Sequence, residues 1–117
     1  MNIMNCTPHA ITIKPGSLEG ITIAPSGIIP RVTMSVSQEN EYFAIKVTSR
    51  VADEVIGLPI GSDGKVLPCI VSGMVVDALR GRAELVGVVF APDTGDSAIR
   101  NDKGHVVAVT CLVTVRA

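Results

Sequence analysis

The sequence predicts an α+β domain: a β-rich antiparallel meander of hairpins, joined to one strand–helix–strand unit over residues 66–91. Three observations carry that reading. Hydrophobic residues make up 47% of the 117 positions, with Val and Ile prominent and no Trp, and β-branched side chains fit a pleated, half-buried surface. The first half alternates apolar and polar residues between turns rich in Pro, Ser and Gly. After residue 65 the alternation gives way to continuous apolar runs, as in strands covered on both faces, with a short amphipathic stretch between them.

Taken in order, residues 9–13 (HAITI) are expected as a first strand ended by Pro15-Gly16, and 21–24 (ITIA) as a second closed by Pro25-Ser26-Gly27. In RVTMSVS, 31–37, Val32, Met34 and Val36 fall on one face and Arg31, Thr33, Ser35 and Ser37 on the other. That is the pattern of a strand buried on one side. Residues 38–41 read as a polar turn, and YFAIKVTS as the returning partner. From Val51, VADEVIGLP reads as one or two turns of helix stopped by Gly57 and Pro59, and GSDGK, 61–65, as a surface turn. VLPCIVS is expected to be a central strand. SGMVVDALRGR then makes a short amphipathic helix with Ser72 as N-cap and Gly81 as its stop. LVGVVFA, 85–91, is a further buried strand, and HVVAVTCLVTV, 105–115, the last and longest. With no internal repeat, linker or low-complexity tract, residues 1–117 read as a single domain.

Composition narrows the function. Ten Lys and Arg against eleven Asp and Glu give a formal net charge of -1, unlike a protein that neutralises many phosphates. One Tyr and two Phe are too few for base-stacking platforms, so no nucleic acid is expected as partner. No window approaches the roughly 18 apolar residues of a membrane span. The N-terminal MNIMNCTPHA lacks the basic and apolar regions of a signal peptide. Cys6, Cys69 and Cys111 are odd in number and form no C-x-x-C pair; they read as buried free thiols in a reducing cytoplasm, and no metal or cofactor is expected. The high apolar content points to surface covered by further copies of the chain, a homo-oligomer.

Three short elements could carry chemistry. FAPDTGDSAIR, 90–100, contains the Asp-Thr-Gly of aspartic proteases, but only 22 residues follow Gly95 and such a mechanism needs two carboxylates in one site. The plain reading is a Pro-initiated turn; the third is a polar loop in which Asp93, Thr94 and Arg100 meet a ligand. Thr7-Pro8-His9 is either a strand-entry corner or a loop presenting Thr7 and His9 to a ligand. A Cys–His pair, Cys6 or Cys69 with His9, has the residue types of a nucleophile and base but no specifying pattern. The junction at Ser72-Gly73 is an ordinary cap or, through its outward N–H groups, a seat for phosphate or carboxylate. Arg31, Arg50 and Arg100 are isolated cations that could assist if they converge.

The order Asn5-x-Thr7-Pro8-His9, Pro25-Ser26-Gly27, Arg31, Ile70-Val71-Ser72-Gly73, Pro92-Asp93-Thr94 and Arg100-x-Asp102-x-x-Gly104 resembles a group of small phage, prophage and plasmid proteins without assigned function. The resemblance spans nearly the whole chain and implies a phage-related protein in the host-cell cytoplasm with an accessory role. By analogy with phage sponges, the expectation is a non-catalytic binder that sequesters a small nucleotide-like signal. Its ligand-binding residues are Thr7, His9, Ser72, Gly73, Asp93, Thr94 and Arg100, with no catalytic residue. Two alternatives stand beside it: a small enzyme using His9 and Asp93 on a nucleotide-like substrate, and a protein-binding inhibitor or structural phage component.

Overall fold

A computed structural model describes residues 3–15 and 19–117. Gly16, expected to help end the first strand, lies outside them, as do the first two residues. The chain runs through β1 (Met4–Asn5), β2 (Ile11–Ile13), β3 (Ile21–Ile23), β4 (Arg31–Tyr42), β5 (Ile45–Ile56), β6 (Cys69–Ile70), α1 (Gly73–Ala78), a 3₁₀ turn (Ala83–Leu85), β7 (Val89–Pro92), β8 (Ile99–Arg100), β9 (Val106–Ala108) and β10 (Leu112–Thr114). The described fold is rich in strands, mostly antiparallel, with one small α-helix.

The core is a four-stranded sheet of order β1-β6-β7-β10. β1 and β6 pair in parallel, as do β6 and β7, while β10 closes the edge antiparallel to β7. The central strand expected over 66–72 shortens to β6, with Leu67 and Pro68 exposed. Residues 69–71 are nevertheless fully buried, as a continuous apolar run predicts for a strand with neighbours on both sides. Parallel neighbours require a crossover, and between β6 and β7 it is α1. Val75, Val76 and Leu79 pack with Cys69, Val71, Val89 and Ala91 in the main cluster. Ser72, in extended backbone, caps α1 by accepting from the Val75 N–H at 3.4 Å. Gly81, at φ +91°, turns the chain beyond it and donates its N–H to the Arg116 carbonyl at 2.7 Å. Only glycine takes that backbone angle without a Cβ clash.

The flanking strands differ from expectation for identifiable reasons. β7 begins at Val89 rather than residue 85, because Gly87 at φ +76° breaks the extended run and donates to Thr114 Oγ1 instead. The expected final strand, 105–115, is split into β9 and β10 because its middle serves a different partner. Val109 donates to Thr12 O at 2.9 Å and accepts from Lys14 N at 2.8 Å, so β9 lies along β2 while β10 lies along β7. β2 and β3 form the expected first hairpin, and β8 and β9 another. The turn at 61–65 also forms, closed by Gly61 N to Lys65 O at 2.8 Å.

The largest correction concerns residues 31–56. No turn forms at 38–41 and no helix at 51–56; both stretches belong to β4 and β5, a two-stranded ribbon of 12 residues per strand. The ladder explains the change, since the 51–56 stretch, with β-branched Val51, Val55 and Ile56, pairs with 31–35 across one register shift at Val32/Met34. The reversal falls at Phe43-Ala44, both at positive φ (52° and 61°), the backbone of a two-residue hairpin turn. Nor is the ribbon buried on one side. Val32 and Val55 at its base pack on the core, but Met34 and Val36 are 47% and 52% exposed. Twelve residues at strand rise make an arm about 40 Å long. It accounts for a radius of gyration of 16.7 Å, against about 13 Å for a compact domain of this length.

Candidate functional site

Parallel pairing puts the ends of β1, β6 and β7 on one side of the sheet, and each end runs into one of the three short elements. β1 leads to Thr7-Pro8-His9, β6 to Ser72-Gly73, and β7 to Asp93-Thr94-Gly95. The carboxyl edge of parallel strands is where open α/β sheets hold ligands, because the loops there are aligned by the ladder beneath them. With β6 between them, β1 and β7 lie about 10 Å apart at strand spacing. That is the span of a small ligand rather than of a hydrogen bond.

The corner after β1 is organised by Asn5, which is 1% exposed. Its amide donates to His9 O at 2.8 Å and Ile23 O at 2.9 Å; its Oδ1 accepts from Thr7 N at 3.0 Å and Thr7 Oγ1 at 2.6 Å. Every hydrogen-bonding position of the amide is used. The Thr7 hydroxyl is therefore spent within the loop, reaching also toward His9 O at 3.0 Å. Pro25-Ser26-Gly27 leans on the same corner through Ser26 N to Asn5 O at 2.8 Å. His9 itself is exposed. The sequence pattern singled out Thr7 and His9; Asn5, on which both depend, was legible only as the first letter of that pattern.

The loop after β7 is also internally braced. Asp93 donates its N–H to Cys111 O at 3.1 Å, and its carboxylate accepts from Gly95 N at 3.1 Å and Cys111 Sγ at 3.4 Å. The Gly95 N–H above all, then the Cys111 thiol, hold the Asp93 carboxyl below the ordinary range. A carboxylate stabilised in this way stays ionised and is a weaker base than a free one. Cys111 is exposed, contrary to the expectation of three buried thiols. Arg100 donates from Nη1 to Gly104 O and from Nη2 to Thr94 O, both at 2.9 Å. Its guanidinium clamps its own loop.

A cleft of about 150 Å³ opens between Ala10, Ile11 and Thr12, Pro92 and Thr94, and residues 106–109. It joins the residue after His9 to the two flanking Asp93. Of the residues expected to bind a ligand only Thr94 lines it; Thr7, His9, Ser72, Gly73, Asp93 and Arg100 do not. Apart from its chain neighbours and its own helix backbone, nothing lies within 4 Å of where a Cβ on Gly73 would stand. Two larger clefts lie elsewhere. One of about 420 Å³ sits among Gly64, Lys65, Val66, Arg82, Glu84, Leu85 and Val88, toward the amino ends of β6 and β7. The other, about 380 Å³, brings Arg80 and Arg116 beside Asp77 and Val76. That arginine pair is not legible in the sequence, because its members lie far apart in the chain and meet where Gly81 N bonds Arg116 O. Among the described residues, no group of three or more His, Cys, Asp or Glu side chains is placed to hold a metal ion, and no helix is long and apolar enough to cross a membrane. No protein-family model, curated protein or solved structure matches the chain.

Proposed function

We propose that this chain is a phage-related accessory protein of the host cytoplasm that binds and withholds a small nucleotide-like anion without transforming it, on an α+β scaffold. The observation that carries this reading is the emergence of all three polar loops from the carboxyl ends of adjacent parallel strands. A phosphate would meet the Ser72-Gly73 junction, where the backbone above Gly73 is open. A base or sugar would lie toward His9 and Asp93, the latter a fixed acceptor because it is ionised. Thr7 and Arg100 act one step back, by holding the loops that Asn5 and Thr94 belong to. The cleft of about 150 Å³ is smaller than the roughly 300–1,000 Å³ of sites that enclose such molecules. The ligand is therefore enclosed only when a second copy of the chain completes the wall.

The enzyme alternative would need His9 and Asp93 as acid and base. The depressed titration of Asp93 weakens it as a base. The protein-binding alternative draws support from a separate observation, the exposed ribbon of β4 and β5.

The experiment is a thermal-shift screen with linear and cyclic adenine and guanine nucleotides, followed by denaturation and chromatography of the released ligand. A bound ligand at 100 times its Kd adds about 2.7 kcal/mol of stability, so a binder announces itself as a clear shift. The reading expects one such shift and intact ligand on release. Chemically altered ligand supports the enzyme, and no shift with any nucleotide removes the reading.

A further inference from the structure

The arm ends in a residue that the fold itself does not use. Phe43 is 97% exposed at φ 52°, a backbone region that glycine and asparagine favour in such turns. It lies between Tyr42 and Ile45, 56% and 63% exposed, and two of the chain's three aromatic residues thus stand at the tip of the arm. An exposed aromatic kept in a strained turn, where Asn-Gly would form the hairpin more readily, is the signature of an anchor awaiting a pocket.

The arm is also incomplete along its length. Opposed pairs share a face, so Tyr42 with Ile45, Asn40 with Val47, Gln38 with Ser49 and Ser35 with Val51 form one uncharged row. Both ribbon edges lack a neighbouring strand among the described residues, and an isolated two-stranded ribbon is marginal in water. The accessible surface is 7976 Å², roughly 1,900 Å² above the scaling for a compact monomer of this mass. One face of the ribbon, about 40 Å by 10 Å, supplies only about half of the roughly 800 Å² per partner of a stable interface. The remainder of such an interface falls to the tip and whatever it is seated in.

We propose that two copies exchange arms about a twofold axis, with Phe43 of each copy seated in the cleft of the other between Val66, Leu85 and Val88. Antiparallel arms related by a twofold put each tip at the base of the other arm, and the cleft is at that base. Ile60, four residues beyond the end of β5, bridges to Val66 of the cleft. The cleft, about 420 Å³, is roomy for an aromatic ring. At the cleft Arg82 is paired with Glu84 at 2.8 Å, which leaves Lys65 as its unmatched base. At the tip Lys46 is paired with Glu39 at 3.0 Å, which leaves Glu41 as its unmatched acid. Self-complementarity of this kind identifies a second copy of the chain as the occupant. The exchange is independent of what the strand-end loops bind.

The test uses the full chain in native mass spectrometry and sedimentation equilibrium over roughly 1–100 μM, because assembly follows protomer concentration. Wild type is expected as a dimer. Phe43→Gly, which suits the turn backbone, should weaken the dimer by at least about 30-fold while leaving the melting of the dilute monomer unchanged or higher. Glu41→Lys and Lys65→Glu should each weaken it, and the two together should restore it. A monomeric wild type, or a dimer that Phe43→Gly leaves intact, overturns the exchange. Failure of the paired charge reversal to restore the dimer removes the cleft as the seat of Phe43 and overturns the proposal in this form.

Discussion

Val71 and Val51 are the same residue, yet Val71 is fully buried and Val51 is 47% exposed. The difference lies in what surrounds each strand. Val71 extends β6, which has β1 on one side, β7 on the other and α1 packed above. Val51 lies in a ribbon with one neighbour and no covering layer. Burial follows from the partners a strand acquires as well as from its own composition. The same chain thus carries a sheet that aligns three loops and an arm whose valines beyond its base stay exposed.

The most severe way to break this contrast is at the corner after β1. Asn5→Ala removes four hydrogen bonds and takes the side-chain partners from the Thr7 N–H and the Ile23 carbonyl. It should cost about 3–4 kcal/mol in urea unfolding, and a loss below about 1 kcal/mol would mean that the corner does not depend on Asn5. A matched pair sharpens the point. Leu79→Ala, in the core, should cost about 2–4 kcal/mol, whereas Val47→Ala on the arm should change the dilute monomer by less than about 0.5 kcal/mol. Equal effects would erase the distinction between the regions.

Alkaline pH probes the core in another way. Burial, with Cys6 alongside, pushes the Cys69 thiol from 9.0 up to about 12. The folded state therefore keeps a proton that the unfolded chain loses above about pH 9. Stability is whole below that pH and declines as pH rises toward 12, by at most about 1.4 kcal/mol per unit. Cys69→Val should flatten that decline in melts at stepped pH; an unchanged decline would assign it to other groups. The smallest effect is a gain at the tip of the arm. Replacing Phe43-Ala44 by Asn-Gly relieves two positive-φ positions and should stabilise the dilute monomer by about 1 kcal/mol. A loss there would mean that Phe43 packs within its own chain.

What the sequence made legible was local. The Ser72 cap, the Gly81 stop and the buried run at 69–71 depend on neighbouring residues and formed as predicted. The parallel pairing of β1 with β6 joins two-residue strands more than 60 positions apart, and nothing in so short a stretch announces its partner. The arm departs from expectation for a related reason. Alternation in RVTMSVS specifies two faces but not which of them is covered, and the polar 38–41 stretch looks the same as an exposed strand or as a turn. At the candidate site the three motifs were visible, and their common edge was not, because it is a property of strand order. Arg100 is expected to meet a ligand, whereas its guanidinium donates to the carbonyls of Thr94 and Gly104 in its own loop.

The most direct test of the strand-end site is amide chemical-shift mapping of the intact protein against whichever nucleotide gives a thermal shift. The proposal predicts that the amides of Thr7 and His9, Ser72 and Gly73, and Asp93, Thr94 and Gly95 move together at one saturating ratio. Shifts confined to the Arg80–Arg116 cleft or to residues 64–66 and 82–88, with those three loops unmoved, would contradict it.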